Sequence, residues 1–147
     1  MLDINKQKMK CSRKGQRIIV YEKEEDGSIK YYIDGDGNKI PIIADEKIGY
    51  SEPQEFYANI SNKLSEVLVK EFGIDDSSTY VQIVTDKGYL SLTAGDMVWK
   101  KSAVGYDADG GVDPLTADYT VRGVADEGLT VDLFLLQKVV NGAYHNV

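Results

Sequence analysis

Alternation of apolar and polar residues dominates this chain. In Gln54-Glu-Phe-Tyr-Ala-Asn-Ile60, Phe56, Ala58 and Ile60 fall on one face and Tyr57 and Asn59 on the other. That period of two predicts a strand. Thr79-Tyr-Val-Gln-Ile-Val-Thr85 alternates in the same way, and Asp96-Met-Val-Trp-Lys100 follows the loop at 86–95. Asp118–Ala125 and Thr130–Val140 predict a pair of strands joined by a turn at Asp126-Glu-Gly-Leu129. In the last strand Val131, Leu133, Leu135 and Val139 share one face, while Phe134 and Leu136 are apolar on the other. Its middle is therefore expected to be buried on both sides.

Upstream, Arg17–Lys23 and Ser28–Ile33 flank Glu24-Glu-Asp-Gly27. Asp-Gly between β-favouring runs is a turn signal, so a hairpin is expected. A second turn at Asp34–Asn38 leads to Lys39–Ile43, where Pro41 suggests an edge strand. Residues 44–53, with Gly49 and Pro53, are expected to form a loop. One segment departs from period two. Leu64, Val67, Leu68 and Phe72 fall on one helical face, with Ser61 as the expected N-cap and Gly73 as the terminating glycine. Val69 is apolar and lies off that face.

About eight strands and one short helix predict a mainly β chain, a small barrel or a sandwich with an N-terminal hairpin extension. The length of 147 residues suits one domain. No apolar run reaches the roughly 18–20 residues of a membrane-spanning helix. The N-terminus lacks a signal-peptide core, so a soluble protein of a reducing cytoplasm is expected.

Charge is unevenly placed. Residues 1–17 carry Lys6, Lys8, Lys10, Arg13, Lys14 and Arg17 against Asp3 alone, or +5, and the remainder carries 11 basic against 23 acidic residues, or −12. The expected organisation is a basic arm at 1–16 before a single acidic domain at 17–147, whose hairpin extension covers 17–43. The arm is a candidate docking element for an acidic neighbour, which includes a second copy of the chain.

Candidate chemistry is sparse. The one histidine, His145, lies near the C-terminus without an orienting partner in sequence. The one cysteine, Cys11, excludes an internal disulfide; its basic surroundings could lower its pKa, but it has no general base and is expected to be a passive thiol. Asp34-Gly-Asp-Gly-Asn38 offers calcium-ligand types at loop positions 1, 3 and 5 but departs from the EF-hand pattern at Lys39, Pro41 and Asp45. A polar hairpin turn is expected there, and a mobile acidic loop at Asp107–Asp113. Trp99 sits in an apolar strand and is expected in the core. The glycines match no phosphate-binding spacing. No catalytic residue, metal site or cofactor is expected.

A more specific pattern covers the second half. Phe56-Tyr-Ala-Asn-Ile-Ser61, a variable helical insert ending Phe72-Gly-Ile-Asp75, and Val81-Gln-Ile-Val-Thr-Asp86 occur in that order. Asp96-Met-Val-Trp99, Asp118-Tyr-Thr-Val-Arg-Gly-Val-Ala-Asp126 and Leu133-Phe-Leu-Leu-Gln-Lys-Val139 follow, with Gly49-Tyr-Ser-Glu-Pro53 ahead of the first strand. This succession resembles the head–tail joining, or head closure, family of tailed phages over roughly residues 49–140. The resemblance implies a small β-barrel that forms a ring, of about six or twelve copies, in the virion neck. Such a ring joins the portal or its adaptor to the tail tube or tail terminator, retains the packaged DNA and later passes it without sequence recognition. The chain would be assembled in the host cytoplasm, with no membrane partner.

By position, the resemblance also makes residues 61–78 a candidate channel-facing segment, with Ser61, Glu66, Lys70, Glu71, Asp75 and Asp76. The apolar face of that segment could instead complete the core. The alternatives are another neck component, an adaptor or tail terminator, and a small β-domain that binds a ligand or metal through its acidic loops.

Overall fold

The computed structural model describes residues 6–74 and 79–139. Six strands close into an antiparallel barrel: β1 (Gln7–Ser12), β6 (Gln54–Ser61), β7 (Tyr80–Asp86), β12 (Val131–Lys138), β11 (Tyr119–Ala125) and β8 (Met97–Trp99), in that order around the wall. The closing seam joins β1 to β8, with Cys11 opposite Val98. Closure leaves the barrel no open edge.

The expected alternation builds this wall. Val81 and Ile83 of β7, Phe56 and Ala58 of β6, Val121 of β11, and Phe134 and Leu136 of β12 fill the interior with Met9, Cys11 and Val98. Leu90 and Leu92, from the loop after β7, join the same cluster. Leu133 and Leu135 face outward yet are buried, because the helix α1 (Glu66–Phe72) covers them through Leu68. The doubly buried centre expected for the last strand is therefore present.

Several expectations are corrected. Residues 7–12 of the expected basic arm form barrel strand β1, with Met9, Cys11 and Ser12 buried. The positive charges at Lys8 and Lys10 occupy its outward-facing alternate positions, as β geometry allows. The expected loop at 44–53 is largely strand: β5 (Ile43–Tyr50) pairs with β2 (Lys14–Tyr21) in a long two-stranded ribbon. Gly49 acts there as a close-approach residue, since a Cβ on it would lie 2.9 Å from Ile18 Cγ1. The hairpin extension thus covers 14–50 instead of 17–43. The helix begins after Ser65, not Ser61, although Gly73 ends it as expected with φ of 61°. Val67 is exposed, whereas Leu64, Leu68 and Phe72 pack inward.

The ribbon continues the β1–β6 pair. Between the two, Ser51 N–H donates to Arg13 O at 2.8 Å, Arg13 N–H donates to Ser51 Oγ at 2.9 Å, and Ser12 Oγ donates to Ser51 O. At its far end the chain divides into two small hairpins. One turns at Glu24–Gly27 with a single bridge between Lys23 and Ile29. The other pairs β3 (Tyr31–Ile33) with β4 (Lys39–Pro41) across Asp34–Asn38. Three backbone bonds knit their bases: Glu22 N–H to Ile42 O, Ile42 N–H to Lys30 O, and Lys30 N–H to Glu22 O, at 2.8, 3.0 and 2.8 Å.

A flap of residues 100–118 lies outside the β8 wall and contains the hairpin β9 (Gly105–Tyr106) and β10 (Val112–Asp113). It covers Met97 and Trp99, so Trp99 is a core residue as expected. Asp118 anchors the start of the flap. Its Oδ2 accepts the backbone N–H groups of Lys100, Lys101 and Ser102 at 2.8, 2.8 and 3.0 Å, and its Oδ1 accepts Ser102 Oγ–H at 2.7 Å.

Candidate functional site

The candidate residues are distributed over three surfaces. The first is the α1 segment. Ser61 is exposed at the end of β6, where its hydroxyl accepts the N–H of Lys63 at 3.0 Å. Glu66 and Lys70 form an exposed ion pair at 3.3 Å, one helical turn apart. Glu71 is exposed beside them, and Asp75 and Asp76 lie outside the described residues. Leu64, Phe72 and Ile74 join Leu68 against Ala125, Leu133 and Leu135. The apolar face therefore completes a core, and the polar face is presented outward.

The second surface is the ribbon. Arg17 forks onto Glu46, with Nη2 at 2.8 Å from Oε2. Ile48, opposite Arg17, and Ile43, opposite Tyr21, share this outer face and are 72% and 56% exposed. The other face rests on the flap. Lys47 Nζ lies 3.2 Å from Asp107 Oδ2 and 3.0 Å from Asp109 Oδ2, and Ile18 and Gly49 line a small cavity of about 210 Å³ together with Val112 and Pro114. Hydrogen bonds to Asp109 and Asp107 raise the pKa of Lys47.

Those contacts define the acidic loops. Asp107 Oδ1 accepts the N–H groups of Asp109 and Gly111, each at 2.9 Å, which closes the turn of a hairpin at the expected acidic loop. The Gly111 bond, then Lys47, hold the Asp107 carboxyl below its ordinary range. At Asp34, Oδ1 accepts the N–H groups of Asp36 and Asn38, each at 2.9 Å, the geometry of a polar hairpin turn. In both loops the carboxylates stabilise the chain's own backbone.

The third surface is a cleft of about 420 Å³ between β1 and the flap. Lys8, Lys10 and Lys100 border it, and Val104, Ala103 and Tyr106 supply apolar wall. The structure brings only Lys8 and Lys10 of the expected docking residues to this place. Lys6 is half-buried at the start of β1, Arg13 and Lys14 lie at the root of the ribbon, and Arg17 lies along it. Lys14 N–H donates to the buried carboxylate of Asp96 at 2.9 Å. Lys100 and Tyr106 were not predicted as site residues, since they lie far from β1 in sequence and meet it only when β8 pairs with β1.

Cys11 is buried in the barrel, and burial is the main cause that pushes its pKa up to about 11. The nearby Arg13 opposes that shift, and Asp96 adds to it. The basic surroundings therefore do not activate the thiol. No helix among the described residues is long and apolar enough to cross a membrane. No protein-family model, curated protein or solved structure matches the chain.

Proposed function

We propose that this chain is a structural protein of the tailed-phage neck, a head closure or head–tail connector subunit. As such it would join the portal or its adaptor to the tail, retain the packaged DNA and later let it pass. The observation that carries this reading is the ribbon β2–β5. It projects from a closed barrel, neither of its strands has a second strand partner among the described residues, and its outer face exposes Ile43 and Ile48. A two-stranded ribbon gains little stability by itself; one face of this one is supported by the flap, and the exposed isoleucines on the other favour a neighbour.

A ring also needs head-to-tail contacts between identical subunits, and a projecting element on a compact body can provide them. Net charge supports the same reading. At −7 the chain as a whole repels duplex DNA, and a passage for DNA gains from weak phosphate contact. The outward Glu66 and Glu71 on α1 would suit a channel wall. The acidic loops speak against a metal-binding module, because Lys47 and backbone N–H groups already engage Asp107 and Asp34.

The test is assembly. The chain, expressed with the portal, adaptor and tail-terminator proteins of a tailed phage, should appear as a ring on those complexes by negative-stain microscopy. A chain that stays monomeric and unbound in their presence overturns the proposal.

A further inference from the structure

We infer that the ribbon's far end docks in the lysine-bordered cleft of a second copy of this chain, making a repeated head-to-tail contact. The inference rests on the ring reading above and names the two surfaces that would form its subunit contact. The far end, residues 22–42, carries six acidic residues against three lysines. Glu24 and Glu25 are exposed there and have no side-chain hydrogen bond or ion pair among the described residues. Lys39, in contrast, lies 5.1 Å over the Tyr31 ring. The same end exposes Tyr31, Tyr32 and Ile33, at 46%, 52% and 62%.

The cleft has the opposite character. Lys8 pairs with Glu55 at 3.2 Å, whereas Lys10, opposite Glu55 in the β1–β6 register, and Lys100, whose backbone N–H donates to Asp118, form no side-chain ion pair among the described residues. Tyr106, 53% exposed, offers an apolar surface beside these charges. An acidic, aromatic projection and a basic, apolar recess are complementary in charge and in hydrophobic character. Within one chain, neither Lys10 nor Lys100 forms an ion pair with a carboxylate of residues 22–42. An eight-residue ribbon is about 26 Å long, enough to carry its end beyond the barrel that bears it. The contact uses different surfaces on the two partners, so it propagates and closes when the rotation allows. The apolar wall favours a protein occupant over nucleic acid, which the chain's net negative charge also disfavours.

Charge exchange tests this on the purified full-length chain. Self-association is measured by sedimentation velocity from micromolar to millimolar protein for wild type, the tip variant Glu24→Lys/Glu25→Lys and the cleft variant Lys10→Glu/Lys100→Glu. Each variant alone should associate at least about tenfold more weakly than wild type. An equimolar mixture should recover wild-type association, because each reversed surface then meets its complement and the unreversed pair is intact. Circular dichroism identifies a variant that fails to fold, in which case Glu24→Gln/Glu25→Gln and Lys10→Gln/Lys100→Gln replace it.

Wild-type chain that stays monomeric throughout, or variants that associate like wild type, overturn the inference. So does duplex-DNA binding that the cleft variant abolishes. Rings on portal complexes that persist in the charge-reversed variants overturn this contact alone and leave the connector reading standing. Absence of rings from the wild-type chain on those complexes overturns the connector reading.

Discussion

The ring of Phe72 lies against the backbone of Gly123: a Cβ on that glycine would be 2.6 Å from both Cε1 and Cζ. Gly123 follows a register shift in the β11–β12 pairing, so helix and wall meet where the strand is irregular. Gly123→Ala should cost about 1–3 kcal/mol through overpacking. Adding Phe72→Leu should recover part of that loss in a double-mutant cycle followed by urea unfolding. Additive losses would show that the two residues are not coupled.

Asp118 should give the stability curve an acid limb. Burial alone would raise its pKa, but the Ser102 N–H and hydroxyl and the N–H groups of Lys101 and Lys100 outweigh it and leave it lowered from 3.8. A depressed carboxyl contributes its stability in full above its unfolded value and loses it as pH falls through the folded one. Asp118→Asn should therefore cost about 1–2 kcal/mol at pH 7, allowing for solvent screening. The gap from wild type should narrow below about pH 4. Thermal melts across that range check it, and a gap constant with pH would refute it.

Thr116 uses its hydroxyl fully. Oγ1 accepts Trp99 Nε1–H at 3.1 Å and Gly105 N–H at 3.0 Å, and donates to Asp113 O at 2.7 Å. Thr116→Val keeps the shape and leaves these buried or half-buried groups unpaired, at about 1–3 kcal/mol. Trp99 is the only tryptophan, so its emission should shift when the flap loosens. An unchanged spectrum and melting temperature would count against this role.

Cys11 should be silent in the folded protein. It is 2% exposed and its pKa is pushed up to about 11, so almost no thiolate forms at pH 8. Reaction with a disulfide reagent should become fast only in denaturant. Rapid reaction in native buffer would contradict the burial.

Ribbon and barrel should separate by mutation. Replacing residues 16–48 with a short turn removes the projecting element and keeps β1 and β6 paired. The shortened chain should retain a cooperative thermal transition and lose association with portal complexes. Normal assembly would remove the ribbon from the subunit contact.

Legibility followed the range of the interactions. The β11–β12 pair is local, and its turn and alternation are both present in a short stretch of sequence. The barrel core at Phe56, Ala58, Val81 and Ile83 follows from the same periodicity. In β1, by contrast, Lys8 and Lys10 dominate the composition, although Met9 and Cys11 between them carry the period-two signal of a barrel strand. Gly49 reads as a breaker because its reason for being glycine, the side chain of Ile18, lies on another strand. Ser61 and Ser65 are equally good cap residues by type; in the fold Ser65 takes the N-cap position without a side-chain cap bond, and its N–H donates to Gln82 Oε1 of β7 at 2.6 Å, a partner distant in sequence. The cleft was hidden for a similar reason, since Lys10 meets Trp99 only through barrel closure.

The continuity of the ribbon with β1 and β6 gives the subunit a mechanical axis. A pull on the far end along the ribbon would reach the barrel through two legs at once, by Arg13 into β1 and by Ser51 into β6. Those strands are hydrogen-bonded to each other, with Cys11 opposite Gln54. The load would drag them together past β8 on one side and β7 on the other. That is sliding, in which many ladder bonds must fail together, whereas peeling breaks them one after another. Tension along the ribbon would therefore meet the barrel in its more resistant direction.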